Sequence, residues 1–186
     1  RLFSLLFIKY CSQSRYKKHF IFGTGSNSLQ ENIEIIKVAQ DNEMYLSLLM
    51  GSAYFSYDDE GAYEWYKKFI EELPKSKIIL YNFEQLSGFK FSRELVKKLA
   101  ENFSQIIGIK DSTANLYDKI KIENFSIFVG SEIRLLDNLK IGGAGLISAT
   151  INVTSSIAKN VYDSFKKGND SELNEHLISV RKVFDK

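Results

Sequence analysis

Several kinds of residue are scarce in this chain of 186 residues, and each scarcity excludes a class of protein. A single cysteine, Cys11, excludes an intrachain disulfide framework and favours a reducing, cytoplasmic setting. The single proline, Pro74, excludes a proline-rich linker. The two histidines, His19 and His176, have no cysteine or histidine neighbours at metal-ligand spacing, so no metal site is expected.

Long apolar runs and an excess of charge are also missing. The apolar stretch over residues 2–8 falls far short of the roughly 20 residues that span a bilayer, so no membrane segment is expected. The formal net charge is +2, without a basic stripe of interleaved aromatics, so nucleic acid is not expected as a partner. Residues 1–18 are interpreted as the end of a preceding helix in a chain that starts upstream. One globular domain is expected over residues 19–186.

A short isoleucine-rich run that ends in a lysine is the most informative stretch. Residues 105–110 are apolar and too few for a helix, which predicts a buried strand with Lys110 at its carboxyl end. Burial disfavours the charged form of a lysine, and a neutral amine can attack a carbonyl to form a Schiff base. The alternative interpretation is a strand-end lysine whose ammonium group reaches solvent.

Apolar runs alternate with amphipathic segments along the whole chain, which predicts βαβ units and a parallel sheet. Strands are predicted over 19–22, 45–50, 77–81, 105–110, 126–129 and 145–148. Helices are predicted over 28–39, 60–73, 93–102, 132–139, from Ser155 or Ser156 to Gly168, and over 170–184. The repeat length is close to that of a (β/α)₈ TIM barrel, so the fold class is an incomplete α/β barrel of about six of the eight units with a C-terminal helix. An open doubly wound sheet is the alternative.

The glycine-containing segment 23–28 follows the first strand and opens a helix. It partly matches a dinucleotide fingerprint, with Asp41 and Glu43 placed where a ribose ligand would be, but Ser28 replaces the third glycine. The competing interpretation is a tight turn into a helix that begins with a capping box, in which Ser28 is the N-cap and Glu31 reaches back.

Five stretches together resemble the dihydrodipicolinate synthase and N-acetylneuraminate lyase family of class I aldolases. They occur in the order and spacing of that family, from about His19 to near the C-terminus. The matching stretches are residues 23–28, 79–82 with Ser87-Gly88 downstream, 107–112, 129–132 and 142–150.

This resemblance implies a barrel, usually tetrameric, that binds pyruvate or another 2-oxo acid covalently, reacts with an aldehyde, and needs no metal or cofactor. Lys110 matches the Schiff-base lysine, and Tyr81 matches the tyrosine that relays protons and contacts the substrate carboxylate. Tyr54 resembles the tyrosine that is contributed across a subunit interface. The positions expected to bind substrate beside the lysine are Gly130, Ile147 and Ser148.

The sequence departs from the family pattern in two places. The Gly-Thr-Thr-Gly-Glu loop that holds the pyruvate carboxylate is absent, and Leu86 stands where true dihydrodipicolinate synthases place an arginine. The acceptor could therefore be aspartate semialdehyde or the aldehyde of a 2-keto-3-deoxy sugar acid. The alternatives to such a lyase are a non-catalytic truncated barrel and a phosphate- or nucleotide-binding α/β domain that uses residues 23–28.

Overall fold

The computed structural model describes residues 2–169 and 173–185. The strands are β1 (Ile21–Gly23), β2 (Leu46–Leu49), β3 (Lys77–Asn82), β4 (Ile106–Asp111), β5 (Ser126–Val129) and β6 (Gly145–Leu146). The α-helices are α1 (Leu2–Cys11), α2 (Leu29–Asp41), α3 (Asp59–Glu72), α4 (Glu84–Ser87), α5 (Arg93–Asn102), α6 (Leu135–Lys140), α7 (Ile151–Lys166) and α8 (Leu173–Phe184). Short 3₁₀ turns cover Lys17–His19 and Glu132–Arg134.

All strand pairs in the sheet are parallel, and the strands lie in the order β1-β2-β3-β4-β5-β6. Each strand therefore pairs with its predecessor in the chain, and the right-handed crossovers place successive helices on one side of the sheet. An open doubly wound sheet would require a reversal of strand order. The order is that of a barrel arc, so the prediction of an incomplete (β/α)₈ barrel is confirmed.

The main core lies between the outer face of the sheet and the helices. Because successive side chains of a strand point to opposite faces, every second strand residue contributes to this layer. Leu49, Ile78, Leu80 and Ile109 are completely or almost completely buried there. Tyr66 and Phe69 of α3 belong to the same cluster, as do Leu95, Val96 and Leu99 of α5. A second cluster joins α6, α7 and α8 through Leu135, Leu139, Val161 and Leu177.

Serine side chains cap the starts of α2 and α5. Ser28 and Ser92 accept hydrogen bonds from the backbone N–H groups of Glu31 (3.3 Å) and Leu95 (3.0 Å). The helix predicted over 93–102 is confirmed to the residue. The capping box is only half formed, because the Glu31 carboxylate accepts from the Ser26 hydroxyl (2.5 Å) instead of reaching back to Ser28.

The start of α7 differs from its prediction. This helix begins at Ile151 and not at Ser155 or Ser156, and Thr150 stands at its N-cap position. The Thr150 hydroxyl bonds to a buried glutamate from another part of the chain, so no local capping pattern marks this helix start. The end at Gly168 is as predicted, with a left-handed φ of 82° that favours glycine. The first three residues of the helix predicted over 170–184 lie outside the described residues.

Candidate active site

Lys110 lies near the carboxyl end of β4, a central strand of the arc. Lys110 is buried, with only 8% of the residue exposed to solvent. The Nζ atom sits 4.0 Å from the centroid of the Tyr81 ring. No carboxylate among the described residues forms an ion pair with this amine. The amine therefore rests on an aromatic face, with its hydrogens available to an incoming group.

Tyr81 is the direct neighbour of Lys110 across the sheet. The register pairs Tyr81 of β3 with Lys110 of β4 and Lys110 with Phe128 of β5, so all three residues occupy one level of one face. Tyr81 is half-buried, and its hydroxyl has no hydrogen-bond partner among the described residues. The ring thus contacts the amine while the hydroxyl remains available as a donor or acceptor.

Tyr54 is not brought to this pair within the single chain. It lies in the loop after β2 and is 78% exposed, in edge-to-face contact with Phe55 at 5.0 Å between ring centroids. Phe55 is itself 66% exposed. Two neighbouring aromatic rings therefore project from the surface, and the role expected for Tyr54 stays a prediction.

Gly130 follows the end of β5 and lies directly against the loop after Lys110. A Cβ atom at position 130 would come within 2.8 Å of Ser112 Cα and would overlap the Ser112 hydroxyl. The Gly130 N–H also donates to the Asp111 carbonyl (3.3 Å). Only glycine allows this approach, so the position is fixed by packing against the loop that follows the lysine.

Ile147 and Ser148 follow the end of β6. The Ile147 N–H donates to the Val129 carbonyl (3.0 Å), which extends the pairing of β5 and β6 beyond the short strand. The hydroxyl of Ser148, which is 8% exposed, donates to Glu132 Oε2 (3.0 Å). The side chain of Ser148 is thus already engaged by the protein, and its contact with substrate stays a prediction.

The sequence alone did not reveal the role of Glu132. Its carboxylate is completely buried and accepts from Thr150 Oγ1 (2.5 Å), Thr154 Oγ1 (3.0 Å) and Ser148 Oγ. Arg181 Nη1 of α8 lies 3.4 Å from Glu132 Oε2 and 2.9 Å from Thr150 Oγ1. Burial raises the pKa of Glu132, but the hydrogen bonds from these hydroxyls outweigh it, so the pKa lies below its ordinary value. The ionised glutamate joins the ends of β5 and β6 to α7 and α8.

The segment 23–28 forms a turn in which the side chains of Ser26, Asn27 and Ser28 are hydrogen-bonded within the protein. Gly25 has a φ of 63°, and Asn27 Oδ1 accepts from the backbone N–H of Ala53 (2.9 Å). The Glu31 carboxylate stands in the first turn of α2, where a phosphate group would be placed in a dinucleotide site. A second negative charge there is unfavourable, so the turn interpretation is the better one.

A family model described as the dihydrodipicolinate synthetase family matches residues 13–186 of the chain. The chain belongs to this family. A 4-hydroxy-tetrahydrodipicolinate synthase of Archaeoglobus fulgidus is 31% identical, over 96% of this chain and 62% of that protein. A 2-dehydro-3-deoxy-D-gluconate/2-dehydro-3-deoxy-phosphogluconate aldolase of Picrophilus torridus is 27% identical, over 90% of this chain and 63% of that protein.

A solved structure of the dihydrodipicolinate synthase family also matches. YagE, a prophage protein from E. coli K12 crystallised with pyruvate, is 24% identical with a TM-score of 0.86, over 99% of this chain and 64% of that chain. At this identity the likeness shows the fold alone. The chain spans between half and two thirds of the length of the curated family members named above and of an uncharacterized DapA-like lyase of Thermoplasma acidophilum, of which it covers 51%.

Within residues 2–169 and 173–185 there is no helix long and apolar enough to cross a membrane. The same ranges contain no group of three histidine, cysteine or acidic side chains placed to hold a metal ion.

Proposed function

We propose that this protein is a class I lyase of the dihydrodipicolinate synthase family that forms a Schiff base between Lys110 and pyruvate or another 2-oxo acid. The observation that carries the proposal is the position of the Lys110 amine, which lies near the carboxyl end of a barrel strand and rests on Tyr81 with no carboxylate partner in the described part of the chain. Active sites of (β/α)₈ barrels are built at this end of the strands. The pyruvate reported with YagE and the names of the curated relatives support the same chemistry.

The first half of the reaction is imine formation. The neutral Lys110 amine attacks the keto carbon, and the keto oxygen becomes the hydroxyl of a carbinolamine. Tyr81 donates a proton to this hydroxyl, which leaves as water, and later recovers a proton from the medium. The product is an iminium ion whose positive nitrogen draws electrons from C3. The contact of the Lys110 amine with the Tyr81 ring, and a Tyr81 hydroxyl without a hydrogen-bond partner among the described residues, support this role.

The second half uses the iminium ion as an electron sink. Loss of a proton from C3 gives an enamine, which attacks the carbonyl carbon of an aldehyde and forms a carbon–carbon bond. Water then hydrolyses the imine and regenerates Lys110. The reverse sequence cleaves a 4-hydroxy-2-oxo acid into pyruvate and an aldehyde, and loss of the 4-hydroxyl group would give carbon–oxygen lyase chemistry from the same intermediate.

Two aldehyde substrates are consistent with the family, because one named relative is a synthase and another is a sugar-acid aldolase. Leu86 is 55% exposed and supplies no charge to a second carboxylate. We therefore propose a polyhydroxylated aldehyde, such as that released from a 2-keto-3-deoxy sugar acid, ahead of aspartate semialdehyde. Comparison of aldol cleavage of 2-keto-3-deoxygluconate with condensation of aspartate semialdehyde distinguishes the two.

The proposed assembly is a tetramer in the cytoplasm. The exposed pair Tyr54 and Phe55 is the surface that would reach a neighbouring subunit, and the free, buried thiol of Cys11 suits a reducing compartment. Sedimentation velocity of the purified protein measures the oligomeric state directly.

Borohydride trapping tests the Schiff base. Incubation with pyruvate and borohydride should give one mass adduct equal to reduced pyruvate, located by peptide mapping on Lys110. Lys110→Arg keeps the positive charge but cannot form the imine, so it should abolish the adduct. Lys97→Arg, on the exposed face of α5, is the matched control and should trap like the wild type. A folded wild-type protein without adduct would refute the proposal and favour the non-catalytic barrel.

A further inference from the structure

Asn82 and Asp111 form a buried pair behind the proposed active site. They are one residue beyond Tyr81 and Lys110 on the same two strands, and the register pairs them with each other. Because side chains alternate along a strand, this pair lies on the opposite face of the sheet from Tyr81 and Lys110. Asn82 is completely buried and Asp111 is 1% exposed. Asn82 Nδ2 donates to Asp111 Oδ1 at 2.8 Å.

Three backbone N–H groups also donate hydrogen bonds to the Asp111 carboxylate. Oδ1 also accepts from the N–H of Ala114 (2.9 Å), and Oδ2 accepts from the N–H groups of Leu116 (2.8 Å) and Tyr117 (2.9 Å). With Asn82, four donors therefore converge on one carboxylate. A carboxylate bound in this way is a poor candidate for proton transfer, although it is adjacent to Lys110 in the sequence. Its bonds fold the segment 112–117 back onto the end of β4.

Asn82 ties the same segment to β3 and to the loop before α5. Its Nδ2 donates to Asn115 Oδ1 (2.8 Å), and its Oδ1 accepts from the N–H of Phe91 (3.3 Å). The Asn82 carbonyl accepts from the N–H groups of Ser112 (2.8 Å) and Thr113 (3.3 Å). Both strand ends are thus locked to one loop through side-chain and backbone bonds.

The loop in turn contacts a third strand end. Ser112, held by the Asn82 carbonyl, packs directly against Gly130 after β5. Ala114 adopts a left-handed φ of 61°, which a non-glycine residue rarely does without outside support. The bond from Ala114 N–H to Asp111 is that support.

We propose that Asn82 and Asp111 are positioning residues that set where the Lys110 amine sits relative to Tyr81 and Gly130. The inference rests on the proposed Schiff-base function. The pair fixes the register at the ends of β3 and β4 from behind the sheet, and the loop it holds fixes the approach of β5. Displacement of a reacting group by about 1 Å can slow a reaction by about 100-fold. Loss of the pair should therefore slow imine formation without removing the amine.

The test is the time course of borohydride trapping at saturating pyruvate, followed by intact mass. In Asp111→Asn, an amide N–H₂ group replaces one acceptor oxygen and faces backbone donors. The trapping rate constant should fall by about 10- to 100-fold, while nearly every molecule is eventually trapped. Asp163→Asn makes the same chemical change on the exposed surface of α7 and should stay within about twofold of the wild type.

The trapping rate constant and the final fraction of trapped molecules distinguish a positioning role from a purely structural role. A purely structural role would reduce the fraction of molecules that can be trapped and leave the rate of the folded fraction unchanged, which would overturn the inference. A wild-type rate in Asp111→Asn would overturn it as well. If Asp111→Asn does not fold, Asn115→Ala decides, because it removes one acceptor of Asn82 and one weak donor to the Phe91 carbonyl and should slow trapping by at least about threefold. An unchanged rate in Asn115→Ala would then overturn the inference. Wild-type protein without adduct would instead refute the proposed function itself.

Discussion

Replacement of Glu132 by glutamine tests how the C-terminal helix is held to the rest of the arc. In the wild type, Oε1 accepts from Thr150 and Thr154, and Oε2 accepts from Ser148 and Arg181. Glutamine has almost the same shape, but one of the two positions becomes an N–H₂ donor. The hydroxyls can turn and accept a hydrogen bond, whereas the Arg181 guanidinium can only donate. The amide therefore turns its oxygen toward Arg181 and its N–H₂ group toward the hydroxyls, and what is lost is the negative charge that faces the guanidinium.

The expected loss of stability is about 2 kcal/mol. A hydrogen bond to a charged group contributes about 1.5–3 kcal/mol, and the lower part of this range applies because Arg181 keeps its bonds to Asp185. At about 2 kcal/mol per molar of urea, the unfolding midpoint of Glu132→Gln should fall by about 1 M at neutral pH. Glu123→Gln makes the same change at an exposed position and should leave the midpoint within about 0.5 kcal/mol of the wild type.

The pH dependence has a defined sign. The pKa of Glu132 is lowered in the folded state, so its stabilisation is present above the ordinary pKa of 4.5 and is lost as the pH falls through the lower value. The difference in unfolding free energy between wild type and Glu132→Gln should therefore be full at pH 7 and shrink progressively below about pH 4.5. A difference that is the same at pH 7 and pH 3, or smaller than about 0.5 kcal/mol at pH 7, would refute this reasoning.

Two further substitutions test the backbone around the lysine. Gly108→Ala should destabilise the protein by about 1–3 kcal/mol in urea unfolding, since a Cβ there would overlap the Ser126 carbonyl and force β4 and β5 apart; an unchanged midpoint would show that the strands tolerate the shift. Ala114→Gly should stabilise the protein by about 0.5–1 kcal/mol, because glycine adopts the φ of 61° without strain while the bond to Asp111 is kept. Destabilisation of Ala114→Gly measured in the same way would contradict that expectation.

The repeating part of the fold could be predicted because its signals are local. The strand over 126–129 and the helix over 93–102 have the bounds expected from their apolar periodicity and caps. The pairing of Tyr81 with Lys110 could be expected too, because both residues lie near the ends of strands that are neighbours in the sheet. Periodicity, capping and strand adjacency act over a few residues or one βα unit, so they can be read directly from the sequence.

The contacts that hold the site from behind could not be predicted, because they join distant residues. Glu132 and Arg181 are 49 positions apart, and Asn82 and Asp111 are 29 apart. The start of α7 differs from its prediction for the same reason, since the Thr150 hydroxyl bonds to Glu132 and not to a backbone N–H of its own helix. A polar residue after a strand end indicates that its side chain forms a hydrogen bond or an ion pair. The identity of the partner depends on how the strands are arranged in the fold.

Lys110 and Asp111 illustrate why adjacent charged residues need not form one site. An ion pair between them would occupy the hydrogens of the amine. The strand prevents this, because it directs the lysine to the face shared with Tyr81 and the aspartate to the opposite face. The aspartate uses its oxygens on the loop donors at Ala114, Leu116 and Tyr117. The alternation of a single strand therefore keeps Asp111 away from the Lys110 amine, while Asp111 holds the loop that follows β4.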